Sequence, residues 1–254
     1  MMKRSSDFKK EAKSALKGNW GKAVGAGFVA SILGAAGNGI LDFGFSTSAG
    51  SAGLNMDTAS MDAYTAEFQQ ITESGMGGIM AGIAGTILVI ALLIALIQLI
   101  VGFVTAAGYA KFNMNLVDGK EIRVGNLFEY FPHWKVMLKA GLLQTLYVIL
   151  WSMLLVIPGI IAVFRYSMTY YILAENPELT AKEAIDRSKE MMNGNKWRLF
   201  CLGFSFIGWD ILSALTMGIG YLFLYPYQYA AMAAFYREIS GTAKKVDMQP
   251  ALAE

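Results

Sequence analysis

Residues 74–110 read SGMGGIMAGIAGTILVIALLIALIQLIVGFVTAAGYA, and not one of these side chains carries a charge. About 20 consecutive apolar residues are enough to cross the hydrocarbon of a bilayer, so this run decides the class of the protein. A second uncharged run, Ala140 to Phe164, follows it. Over the 254 residues, 55% are hydrophobic and only 16% are charged, where a water-soluble domain needs about a quarter charged to keep its surface wet. Composition thus excludes a soluble enzyme, a disordered chain and a disulfide scaffold. It predicts an all-α, polytopic transmembrane helical bundle.

The net charge of +2 gains meaning from its placement. Lys3, Arg4, Lys9, Lys10, Lys13, Lys17 and Lys22 crowd residues 1–22, and no base follows until Lys111. Between them lie the acids Asp42, Asp57, Asp62, Glu67 and Glu73. Basic residues mark the cytoplasmic side of a span, so residues 42–74 are expected as an acidic external loop, with a short helix near 61–71, and the N-terminus as cytoplasmic. The basic start followed by Ala23 to Leu41 imitates a secretory leader. That apolar run exceeds the usual length of roughly 7–15 residues, and a retained span is expected.

Outward from these runs, the chain divides into a basic amphipathic helix (1–22), a first transmembrane hairpin (23–110) and an interfacial segment (111–139). A second hairpin (140–174), a cytoplasmic helix (175–198), a third hairpin (199–236) and a cytoplasmic tail (237–254) follow. That makes six spans in three hairpins, with both ends cytoplasmic. Small residues at Gly25, Gly27, Ala30 and Gly34, and again at Gly78, Ala81, Gly82 and Gly85, are expected to let helices approach closely. Lys111 is expected to end the second span. Pro158-Gly159 is read as the tight turn of the second hairpin, since proline breaks the ladder and glycine permits unusual dihedrals. Gly218 and Gly220 are read as the turn of the third. Thr180 with Glu183 three residues on predicts a capping box.

Three junctions resemble one another: Gly18-Asn19-Trp20-Gly21-Lys22, His133-Trp134-Lys135 and Gly194-Asn195-Lys196-Trp197-Arg198. Trp and Lys or Arg are interfacial anchors, so Trp20, Lys22, Trp134, Lys135, Trp197 and Arg198 are expected at the membrane surface. They are either three independent anchors or the marks of a threefold repeat.

The chain also resembles a bacterial integral-membrane family known as domain of unknown function 975. The likeness rests on Ala15 to Ala23, Ile157-Pro158-Gly159-Ile160-Ile161, Arg165-Tyr166-Ser167-Met168, Tyr171 to Pro177, Glu183-Ala184-Ile185, Ser188 and Gly194 to Phe200. It continues through Ser205-Phe206-Ile207-Gly208-Trp209, Gly218-Ile219-Gly220 and Tyr225-Pro226-Tyr227. The resemblance implies a multi-span protein of a bacterial cell membrane and supplies no activity or catalytic residue. Asp210 departs from the apolar residue expected after Trp209.

Arg165 and Asp210 are the charges well inside the expected spans, where ionisable groups tend to pair, snorkel or line a path. Their similar distances from the turns allow an intramembrane ion pair. The lysine-rich N-terminal helix, with Phe8, Ala12, Ala15 and Leu16 on one side, is a candidate for binding anionic lipid, or serves only to hold the N-terminus inside. His133 has no nucleophile motif beside it, and Cys201 stands alone. No catalytic residue, metal ligand set, cofactor or nucleic-acid module is expected, and protein partners are not readable. The favoured reading is a non-enzymatic membrane scaffold or lipid-interacting component, with a permease using Arg165 and Asp210 as the alternative.

Overall fold

The computed structural model describes residues 3–35, 77–216 and 218–241. Among these the chain is helical, with no strand: α1 (Ser5–Leu16), α2 (Trp20–Ile32), α3 (Gly77–Val117), α4 (Trp134–Leu154), α5 (Val156–Tyr166), α6 (Thr169–Glu175), α7 (Ala181–Met191), α8 (Lys196–Phe204), α9 (Ile207–Leu215) and α10 (Tyr221–Ile239). Short 3-10 turns at Val124–Phe128 and Phe131–His133 lead into α4. The expected acidic loop, its short helix and the tail beyond residue 241 lie outside the described residues. The chain forms two compact units, Met1–Asp42 with Ile100–Glu254, and Phe43–Leu99.

In the second unit the described stretch is the first part of α3. Its Ile87, Leu92 and Ile97 are exposed, and a side chain added at Gly82 or Gly85 would meet open space. The small-residue face expected there to seat another helix does not do so among the described residues. α3 also runs on through Lys111 to Val117, so Lys111 does not end it. The reason is local: Gly108 to Val117 carries a buried stripe, including Tyr109, Phe112 and Met114, that continues the helical pattern past the charge.

The first unit is built around α10. Its Ala230-Ala231-Met232-Ala233-Ala234 run is buried on every side, as a helix without a polar face must be. Phe8 of α1 meets Phe235 edge-on at 5.4 Å. Gly27 of α2 is close enough to Pro226 of α10 that a β-carbon would lie 3.3 Å from the proline ring. That contact realises the small-residue expectation for the first span, together with buried Ala23, Ala26 and Ala30, whereas Gly25 faces open space. Among the described residues the tightest approach to another backbone is at Gly108, whose added β-carbon would stand 2.3 Å from the Leu127 carbonyl oxygen.

Among the described residues, four segments are long and apolar enough to cross a membrane: Gly85–Val117, Val124–Leu154, Ile157–Glu175 and Lys196–Leu215. Four of the six expected spans are thus matched. Of the other two, α2 is described only to Ile32, and α10 has the length but carries Gln228, Arg237 and Glu238 among its tyrosines. The third of the four is broken at Ser167-Met168 and the fourth at Ser205-Phe206.

The reversal between α4 and α5 falls at Leu155, which is extended (φ −163°, ψ 150°), and not at Pro158-Gly159. Pro158 sits in the first turn of α5, where its missing N–H is no loss. Gly159 has a packing role instead, because a β-carbon there would lie 2.3 Å from Ser152 Oγ. The reversal between α9 and α10 does use Gly218, at φ +88°, a conformation that favours glycine. Gly220 repeats the packing of Gly159, now on Ser213, where a β-carbon would lie 2.7 Å from the serine Cα. Each reversal thus sets a serine against the glycine seven positions later.

Two of the three junctions also match. Gly18 and Gly194 have φ of +84° and +81°, and each is followed by an asparagine whose side-chain amide donates back to the carbonyl four residues earlier, Asn19 to Ala15 and Asn195 to Met191. Each asparagine carbonyl then accepts the first bond of the next helix, from Ala23 and Leu199. His133-Trp134-Lys135 lacks this loop and enters α4 through a 3-10 turn.

Candidate functional site

The polar groups of the first unit gather at the C-terminal end of α10. Arg237, 7% exposed, donates from Nε and Nη2 to the two carboxylate oxygens of Asp118 at 2.9 and 2.6 Å, a bidentate geometry that guanidinium matches. Its Nη1 donates to Glu175, whose other oxygen accepts from the Tyr236 hydroxyl. The ends of α3, α6 and α10 are thereby joined. One residue on, Glu238 accepts from Arg198 Nη2 at 2.9 Å and from the Lys3 backbone N–H at 3.1 Å, and the Arg198 guanidinium covers Phe8 and Phe235.

Two amphipathic helices complete the arrangement by satisfying the breaks. Broken helices leave backbone donors and acceptors without intrahelical partners. At the α8–α9 break, Lys9 of α1 donates from Nζ to the Ser205 carbonyl at 2.6 Å and lies over the Phe206 ring; partial burial lowers its pKa. At the α5–α6 break, Ser188 of α7 donates from Oγ to the Arg165 carbonyl at 3.0 Å and accepts from the Met168 N–H at 3.2 Å. Ser188 is fully buried, so Ser188→Ala strands a donor and an acceptor at once. A loss of about 1–3 kcal/mol is expected, read as a lowered unfolding midpoint of the purified protein in detergent, with Ser188→Thr retaining most of it.

The capping box at the start of α7 is present: the Thr180 N–H donates to Glu183 Oε2 at 2.9 Å and the Glu183 N–H to Thr180 Oγ1 at 3.3 Å. The bond from the Thr180 N–H, and after it the one that the Thr180 hydroxyl donates to the same carboxylate oxygen, lower the Glu183 pKa. Ala181, Ala184, Ile185 and Ser188 form the buried face of α7, leaving Lys182 and Arg187 outside. In α1 the buried residues are Phe8, Ala12 and Leu16, with Lys10, Lys13 and Lys17 exposed. Between α4 and the start of α7 runs an open groove of about 430 Å³, floored by Leu142, Leu143 and Leu146 and bordered by Lys139 and Lys182.

The anticipated ion pair is not formed. Asp210 accepts from Gln228 Nε2 at 2.9 Å, and its carbonyl accepts from the Tyr221 hydroxyl. Arg165 lies instead beside α7, where Ser188 takes its carbonyl. Of the expected anchors, Trp20, Trp134 and Trp197 are exposed, Trp197 most of all at 72%, and Lys22 and Lys135 are exposed beside them. Arg198 is different, since its side chain is mostly buried in the pair with Glu238. Among the described residues no group of three His, Cys, Asp or Glu could hold a metal ion.

The sequence gives no site role to Asp118, Glu175, Arg237, Gln228 or Ser188, although Glu175 and Ser188 stand among the residues that carry the family resemblance. The first four have partners remote in sequence, with no local pattern to reveal them. Ser188 did carry a signal, being a hydroxyl at helical spacing on the apolar face of Ala181, Ala184 and Ile185.

The family described as "Protein of unknown function (DUF975)" matches residues 1–243 of the chain. No curated protein and no solved structure matches it.

Proposed function

Since the chain belongs to the DUF975 family, whose function is unknown, its own residues must supply the reading, and we propose a non-enzymatic scaffold of a bacterial cell membrane that engages anionic lipid headgroups. Its helices enter the membrane in pairs from the cytoplasmic side, where both termini remain. The observation that carries this is the setting of α1 and α7. Their apolar faces are spent on the protein's own helices, so their lysines are presented on a fixed surface and α1 does not insert as a free amphipathic helix. The groove bordered by Lys139 and Lys182 offers a headgroup phosphate two cations. The permease alternative drew on Arg165 and Asp210 together, and Asp210 is engaged by Gln228 instead.

A basic residue near the surface contributes about 1 kcal/mol toward anionic lipid. Native mass spectrometry of the detergent-purified protein with added phosphatidylglycerol or phosphatidylcholine tests the reading. Phosphatidylglycerol should be retained preferentially, and each of Lys139→Gln and Lys182→Gln should lower that retention about five-fold. Equal retention of both lipids by the unaltered protein would sink it.

A further inference from the structure

We infer that the α4–α5 and α9–α10 pairs do not cross the bilayer: they enter from the cytoplasmic side, turn within the hydrocarbon and leave by the face through which they came. The inference rests on the membrane reading above and adds depth to it.

The argument starts from charged groups that mark the water surface. Lys189 of α7 places its ammonium 5.6 Å from the Tyr147 ring centroid and 5.9 Å from that of Tyr166, and Ser188 binds the Arg165 carbonyl. α7 carries Lys182, Glu183, Asp186, Arg187, Lys189 and Glu190 within eleven residues. Each charge taken into the bilayer centre costs at least about 2.5–3.5 kcal/mol, so this helix stays at the headgroups. Tyr147 and Arg165 are therefore held near that level. From Tyr147 to the end of α4 at Leu154 only about 10 Å of helix remains, and from Arg165 back to Leu155 about 15 Å, at 1.5 Å per residue.

The other pair gives the same depth independently. Lys9 of lysine-rich α1 binds the carbonyl of Ser205, and Phe206 stands edge-on to Tyr227 at 5.2 Å. Beyond these lie α9, nine residues long and thus about 14 Å, and the six residues from Tyr227 back to Tyr221, about 9 Å. Trp20 at the junction after α1 meets Phe223, 6.4 Å between centroids. A hydrocarbon core is about 30 Å thick, so both pairs reach its middle and stop.

The two ends have the chemistry of something that stays in lipid. Met153, Leu154, Leu155 and Ile157 are 82%, 69%, 67% and 72% exposed, and Leu215 and Ile219 77% and 66%; no charge lies between Ala140 and Phe164 or between Ile211 and Tyr236. A turn in hydrocarbon must satisfy its own backbone. At 213–221 the N–H groups of Thr216 and Gly218 donate to Ser213, that of Ile219 to Thr216, that of Tyr221 to Gly218, and that of Gly220 to Thr216 Oγ1. At the other end Leu155 donates to Trp151, Gly159 donates to Leu155, and Pro158 has no N–H to satisfy.

The test uses the full chain with Cys201→Ser and one new cysteine, Leu155→Cys or Ile219→Cys, with Ser14→Cys as the exposed control. Alkaline-washed membranes are assayed first, and absence of the protein from them would overturn the membrane reading itself. With the protein retained there, a charged, membrane-impermeant maleimide should leave both end cysteines unlabelled in intact cells and in inverted vesicles. It should label Ser14→Cys in inverted vesicles and all three in detergent. A bimane attached at residue 155 and reconstituted in phosphatidylglycerol–phosphatidylcholine vesicles should be quenched most by nitroxides near the bilayer centre. Labelling of residue 155 or 219 in intact cells, or strongest quenching by headgroup nitroxides, would overturn the inference and leave the membrane reading standing.

Discussion

Arg237→Met is expected to lower stability by about 3–5 kcal/mol, because it leaves the buried carboxylate of Asp118 and the partly buried one of Glu175 without their cation. Asp118 is the more severely stranded. Its side chain is 5% exposed, and Lys120, at 3.2 Å and itself largely in solvent, is a poor substitute for a bidentate guanidinium. Methionine keeps much of the arginine's bulk, so the change isolates charge from packing. Thermal or denaturant unfolding in detergent measures the effect. Adding Asp118→Asn to Arg237→Met should recover part of the loss, since the penalty belongs to the unpaired charge. A cycle with no coupling between the two positions would show that the loss comes from packing of α10 alone.

Gly108→Ala should cost about 1–3 kcal/mol or somewhat more. The added methyl would lie 2.3 Å from the Leu127 carbonyl oxygen and 2.6 Å from its Cα. These are backbone atoms of a 3-10 turn whose Leu127 is wholly buried, so no side chain can swing aside. The helix and the turn must separate, and everything the turn positions, from Tyr130 to the start of α4, shifts with it. Gly82→Ala is the contrast on the same helix. Nothing lies within 4 Å of its β-carbon, and alanine is the better helix former by about 1 kcal/mol, so no loss of stability is expected there. If both variants unfold at the same midpoint, the close approach at Gly108 is not what limits substitution.

The helical class, the capping box at Thr180 and the Gly-Asn junctions were legible because each is local: a few adjacent residues fix backbone geometry whatever surrounds them. Pro158-Gly159 was legible as an interruption but displaced by three residues, because a proline is tolerated in the first turn of a helix as readily as in the turn before it. The α1 stripe of Phe8, Ala12 and Leu16 was visible, but its occupant was not. Periodicity tells that a face is buried and cannot tell whether lipid or α10 buries it. Asp210 shows the same limit, since distance from a turn gave its depth and no azimuth, and Gln228 rather than Arg165 faces it. The network at Arg237 was hidden more completely, as Asp118 and Glu175 lie 119 and 62 residues away from it.

The docking of α1 on α10 also constrains the order of assembly. Lys3 meets Glu238 across 235 residues of chain, so α1 packs against a helix that leaves the ribosome long after it. Until α10 is synthesised, Phe8 has the Arg198 guanidinium but not the Phe235 ring, and the Ser205 carbonyl can receive Lys9 only from a helix not yet anchored on α10. Contacts this remote form late and slowly, and exposed apolar surface held open meanwhile is where chains aggregate. Biogenesis therefore has a waiting period built into it, and a chain released before residue 221 would carry the helices described ahead of it yet lack the helix around which they pack.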